Sequence, residues 1–143
     1  MSTLQPYLTF DGNCEEAFRF YKSVFGGDFS HVGRFKDMPP EHKCAEGEEE
    51  KIMHISLPVD KDSLLMGSDT PKSYGQSFVQ GNNFSISINA ESEAQADKLF
   101  KGLSEGGKVM MPMQKTFWGA YFGMFTDKFG IHWMINFDYN QNK

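Results

Sequence analysis

A short strand-like run, Gln5-Pro6-Tyr7-Leu8-Thr9-Phe10, gives way to a different period. Ala17, Phe18, Tyr21, Val24 and Phe25 recur at helical spacing, and Gly26-Gly27 closes the run. Asn13 stands where an N-cap belongs, and Glu15-Glu16 suit the positive end of the helix dipole. The pattern predicts a strand over 5–10, a helix ending at Phe25, a strand over 29–36 and a polar, solvated loop over 38–50. Strands over 52–57 and 64–68 follow, with a turn over 58–62 between them. Pro71, Gly75 and Gly81 mark a linker over 70–82. The second half predicts a strand over 83–89, a helix over 92–105 capped by Ser92, and strands over 108–113, 120–126 and 131–137. The last two flank a turn at Asp127-Lys128-Phe129-Gly130.

Each half therefore reads βαβββ, and the halves also match residue to residue. Tyr21 aligns with Phe100 and Val24 with Leu103, a shift of 79 positions. Lys51 to Asp69 reads like Ala120 to Asp138, a shift of 69. A repeat of this length signals duplicated modules. We place them at about 4–69 and 83–138 of one 143-residue domain.

Strand alternation assigns faces. Ile131, Trp133, Ile135 and Phe137 form one packing set, leaving His132, Met134 and Asn136 opposite. Met53, Ile55 and Leu57 form another, leaving Ile52, His54 and Ser56. Ile86, Ile88 and Ala90 form a third, leaving Ser85, Ser87 and Asn89. With helices outside, the mixed polar faces would line a hollow.

Composition narrows the function. The net charge is −5 and no Lys/Arg stripe exists, so no nucleic-acid partner is expected. No long apolar run or signal-peptide pattern occurs, so neither a membrane span nor export is expected, and the chain is read as cytoplasmic. In that compartment Cys14 and Cys44 read as free thiols, too few for zinc. Aromatic residues make up 15% of the chain, enough to wall a packed core or an apolar pocket. No phosphate-cradling glycine motif and no methyl-donor fingerprint occurs, and no cofactor is expected.

His54 is the candidate catalytic residue: it lies on the predicted hollow face, and imidazole suits proton transfer near neutrality. The plainer role, orienting its neighbours by hydrogen bonds, stands against it. Ser56, Ser85, Ser87, His132 and Asn136 are candidate polar contacts to a ligand. Trp118, between Phe117 and Gly119, and Tyr121, between Gly119 and Gly123, would stack on a planar ligand or serve as core or interface aromatics. Gly123, opposite His54 in the repeat, would leave space for a ligand. Asp69, Asp127 and Asp138 read as turn or cap residues, His31 and His42 as surface groups. No serine is spaced with a histidine and an acid as a nucleophile triad.

Several segments resemble the vicinal-oxygen-chelate superfamily of glyoxalase, bleomycin-resistance and extradiol-dioxygenase proteins, and within it the PhnB-like branch. They include Gln5 to Asn13 with Glu16-Ala17, Phe20-Tyr21-Lys22, His54-Ile55-Ser56-Leu57 and Leu65 to Asp69. Phe117-Trp118-Gly119, Tyr121-Phe122-Gly123 and Asp127 to Trp133 complete the set. The resemblance implies an α+β fold in which two βαβββ modules form an open curved barrel around a cavity, with helices outside. It also implies homodimers. In metal-dependent members the first and last strands of each module supply four ligands; these positions fall here at Pro6, Leu65, Ser85 and Met134. None is a histidine or carboxylate, and a one-residue slip to Gln5 and Phe84 restores nothing. The expectation is a small-molecule-binding protein lacking the usual metal site. The alternatives are an isomerase, lyase or transferase using His54 as acid or base, and a mainly structural homodimer with Phe117 and Trp118 at its interface.

Overall fold

Strand β1 (Tyr7–Phe10), helix α1 (Cys14–Phe25) and strands β2 (His31–Arg34), β3 (Ile52–Asp60) and β4 (Ser63–Asp69) build the first module. Strand β5 (Ile86–Asn89), helix α2 (Glu93–Ser104) and strands β6 (Lys108–Lys115), β7 (Ala120–Thr126) and β8 (His132–Asp138) build the second. The computed structural model describes residues 2–39, 46–70 and 78–140. The chain divides into two units, Met1–Val79 and Gln80–Lys143, each holding one module. The fold is α+β, and both βαβββ modules expected from the sequence are present. Their four-stranded sheets are open, in the orders β1-β4-β3-β2 and β5-β8-β7-β6. The first strand of each module lies parallel to the last, and the other pairs are antiparallel. Among the described residues no helix is long and apolar enough to cross a membrane.

In the first module the helical stripe does what its spacing predicts. Cys14, Ala17, Phe18 and Tyr21 of α1 are buried, as are Leu8, Phe10, Ile55, Leu57 and Leu65 of the sheet. Burying each large side chain contributes roughly 1.5–3 kcal/mol. Phe18 packs edge-on to Phe10 and Tyr21, with ring centroids 6.1 and 5.5 Å away. Gly67 permits this close approach, because a Cβ there would stand 2.7 Å from Phe18 Cε1.

The helix start differs from the local expectation. Asn13 makes no side-chain cap. Asp69, at the far end of β4, caps α1 instead: its Oδ1 accepts from the Gly12 and Cys14 amides at 3.0 and 2.9 Å. Its Oδ2 accepts from the Ile52 amide at 2.9 Å, so one buried carboxylate ties β4 to the starts of α1 and β3. Asp138, its partner by sequence, is exposed and among the described residues accepts only from the Asn140 amide.

In the second module α2 buries Ala96, Leu99 and Leu103, and Phe125, Trp133 and Ile135 of its sheet are buried too. Ser92 caps α2 as predicted, accepting from the Gln95 amide at 3.0 Å. Asp127 organises the β7–β8 turn through the Phe129 and Ile131 amides and takes the Trp133 indole N–H at 2.8 Å.

Four details depart from the sequence pattern. Strand β2 stops at Arg34, where the Asp37 carboxylate accepts the Arg34 amide and bends residues 35–37 into a single 3₁₀ turn. A bulge pairs Arg34 with Ile52 and Gly33 with His54, turning Ile52 into the core and leaving Met53 half-buried. The match at a shift of 69 is out of phase with the pleat, since Leu65 is buried on the α1 side whereas Met134 faces away from α2. Gly123 makes no ligand space: a Cβ there would meet Phe100 Cε2 at 2.8 Å and Met113 Sδ at 2.7 Å. Cys14 is a buried free thiol. Cys44 and His42 lie outside the described residues.

Candidate functional site

Each sheet packs a helix on one face, and the residues of the other face form rows across the strands. In the first module one row runs Tyr7, Met66, Ser56, His31 through β1, β4, β3 and β2. His54 stands on the same face, paired across strands with Gly33. Tyr7 reaches over to it, with its hydroxyl 3.1 Å from His54 Nδ1 and the rings 5.5 Å apart. The His31 ring also lies 5.5 Å from that of His54. Gly33 makes room for this, because a Cβ there would sit 2.9 Å from His31 Nε2. Burial, and secondarily the charge of His31, hold the His54 pKa below the usual imidazole value. His54 is therefore neutral at neutral pH, with one ring nitrogen bonded to a phenol. Ser56 is buried, its Oγ 2.8 Å from that of Ser30.

In the second module one row runs Ser87, Met134, Met124, Met111 and the next runs Asn89, Asn136, Phe122, Gln114. Asn136 donates from Nδ2 to Asn89 Oδ1 at 3.3 Å. His132 Nδ1 lies 2.8 Å from Thr126 Oγ1 and Nε2 3.2 Å from the Gly81 carbonyl, so both ring nitrogens are engaged. Trp118 is exposed in the β6–β7 turn and leans on Phe122, ring centroids 6.1 Å apart. Ser85 precedes β5 and, like Ser87, is exposed.

Tyr121 is not part of this face. The β7–β8 register puts Tyr121, Gly123 and Phe125 with Phe137, Ile135 and Trp133 on the α2 side. There the Tyr121 hydroxyl donates to Asp97 Oδ1 of α2 at 2.7 Å, and that bond pushes its pKa up to about 12. Its contact is a helix latch. The structure thus brings His54 and Ser56 onto the helix-free face of one sheet, and Ser87, His132 and Asn136 onto that of the other, with Trp118 against Phe122. Sequence reasoning passed over Tyr7 and Phe122 as site residues and read His31 only as a surface group. Alternation through β7 marks Phe122, whereas the approach of Tyr7 and His31 to His54 depends on all four strands of the sheet meeting in register.

The superfamily's metal positions do not suit an ion. Leu65 is buried on the α1 side, and Pro6 offers only its backbone carbonyl, which accepts the Met66 amide. The free-face neighbours Tyr7 and Met66 would substitute a phenol and a thioether, and Ser87 and Met134 a hydroxyl and a thioether. Among the described residues no group of three or more His, Cys, Asp or Glu side chains is placed to hold a metal ion.

Two βαβββ modules, each with a parallel first-to-last strand pair and one helix-free face, define a class that comparison with known proteins also finds. Residues 3–135 match the Glyoxalase/Bleomycin resistance protein/Dioxygenase superfamily, and the chain belongs to it. Protein YjdN of Escherichia coli (strain K12) is 30% identical over 141 residues, 93% of each chain. The crystal structure of protein PA1353 from Pseudomonas aeruginosa is similar with a TM-score of 0.85 at 40% identity, over 96% of this chain and 98% of that one. A PhnB protein from Bacillus cereus, described as a putative 3-demethylubiquinone-9 3-methyltransferase, shares the fold with a TM-score of 0.72 at 24% identity, over 95% and 99% of the two chains.

Proposed function

We propose that this protein binds a small molecule against the helix-free faces of its sheets, without the metal ion usual in its superfamily. The observation that carries this reading is the Tyr7–His54 hydrogen bond, with His31 beside it, on a face that no helix of its own module covers. Polar and aromatic groups gathered on one sheet face suit ligand orientation. The test is a ligand-detected NMR screen of a metabolite library against metal-stripped protein. Binding that His54→Ala abolishes without changing the circular dichroism spectrum supports the reading. A library with no binder removes it.

A second reading, acid–base catalysis by His54, is favoured by one observation: its depressed pKa leaves a neutral imidazole next to a phenol that can pass a proton. Under this reading His54→Ala loses turnover of the bound compound and retains the fold. Unchanged turnover in that variant contradicts it. We also propose a homodimer. Its support is the exposed apolar surface at Phe84, Met110 and Phe117, the last 97% exposed. Light scattering at micromolar concentration should give twice the chain mass, and a monomer would overturn the proposal.

A further inference from the structure

Asn136 Nδ2 donates to Asn89 Oδ1 at 3.3 Å across the parallel β5–β8 pair. This leaves an amide N–H donor on Asn89 and a carbonyl acceptor on Asn136, at paired positions of neighbouring strands and neither bonded among the described residues. Neither position is closed off: Asn89 is exposed and Asn136 half-buried. Phe122 is the cross-strand neighbour of Asn136, and Trp118 extends the aromatic surface beyond it. On the other side lie the thioethers of Met134 and Met124, cross-strand neighbours of each other. A free donor and a free acceptor on paired strand positions, near aromatic rings and polarizable thioethers, complement a flat body with a –CO–NH– edge.

We infer that the helix-free face of the second module binds planar heterocycles through a lactam or imide edge. The ring N–H donates to Asn136 Oδ1, the adjacent ring carbonyl accepts from Asn89 Nδ2, and the flat body lies over Met134 and Met124 against Phe122. The inference rests on the small-molecule reading above and narrows it to a chemical class. A purely anionic ligand would leave the Asn136 carbonyl without a donor, and a saturated one would not lie flat on the aromatic and thioether surface. An aromatic hydrocarbon would bury it unsatisfied, at a cost in affinity.

Fluorescence titration of the full-length protein with lumichrome, a flat tricycle with an imide edge, tests this. The controls are its N1,N3-dimethyl derivative, which keeps the ring and carbonyls but has no N–H, and phenazine, which has neither. The expected result is saturable lumichrome binding, at least tenfold weaker for both controls. Asn89→Ser, at an exposed position, should bring lumichrome down to the level of the controls, and Asn136→Leu should do the same. Equal affinity for all three compounds, or a lumichrome preference that survives both substitutions, overturns the inference and leaves the small-molecule reading standing. Failure of all three compounds, when the metabolite screen does yield binders, also overturns the inference alone. A screen without any binder removes both.

Discussion

At the scale of single residues, the proposed chemistry centres on His54, and its charge state is the sharpest handle. Protonating it costs more in the folded protein than in the unfolded chain, because the ring is partly desolvated and His31 lies beside it. The unfolded chain thus takes up a proton first as pH falls through the ordinary imidazole range, and the stabilisation present above that range is lost there. NMR titration of the His54 ring should give a midpoint below the usual 6.5. His31→Ala, which removes a like charge and admits water, should move it up. A wild-type midpoint at or above the ordinary value, or no movement in the variant, would contradict this environment. The neighbours of His54 were hidden in the sequence for a physical reason. Tyr7 and His31 lie 47 and 23 positions before His54, on β1 and β2, and only the sheet register joins them to it. Tyr121 shows the converse failure. Its hydroxyl and flanking glycines suggested a ligand contact, but strand parity turned it toward α2.

At the scale of elements, the order of strands and helices was legible almost throughout, because each helix carries a clean apolar stripe and each turn its own breaker residues. The faults lay where one residue changes the phase. The bulge beside Gly33 reverses Ile52 and Met53, and the repeat match at 69 carries Leu65 onto the opposite face from Met134. Alternation has a period of two, so any one-residue irregularity exchanges faces. Long-range caps are equally invisible to a local reading. Asp69 satisfies three amides from two other elements, and Asp69→Ala should cost about 3 kcal/mol in urea unfolding, by leaving those donors unpaired. A loss of less than about 1 kcal/mol would show that water replaces the carboxylate.

The clamp between α1 and β2 makes a different, pH-dependent prediction. Glu15 takes two bonds from Arg34, at 3.0 and 2.8 Å, and one from Arg19 at 2.7 Å. The Arg34 bonds foremost, then that of Arg19, lower its pKa to about 2. The ionised form favours folding, so this stabilisation is complete above the usual carboxylate range and disappears as pH falls toward 2. The Glu15 side chain is 35% exposed, and screening holds the contribution to about 1 kcal/mol. Glu15→Gln should be less stable by that amount at neutral pH, and the gap should close in acid. A gap independent of pH would mean that packing, not charge, sets it.

At the scale of the whole molecule, the chain keeps its superfamily's duplicated architecture. Fold and family were legible because motif order and the internal repeat extend over most of the chain. Ligand identity was not, because a binding face is assembled from single residues on many strands, and no short stretch encodes it. The central claim is that the helix-free faces bind a small molecule with side chains alone. The measurement that tests it most directly is the metabolite-library NMR screen, run on protein stripped with EDTA and repeated with manganese, nickel or zinc added. The account predicts binders in EDTA whose affinities do not change when metal is restored. Binders that appear only with a divalent ion present would contradict it.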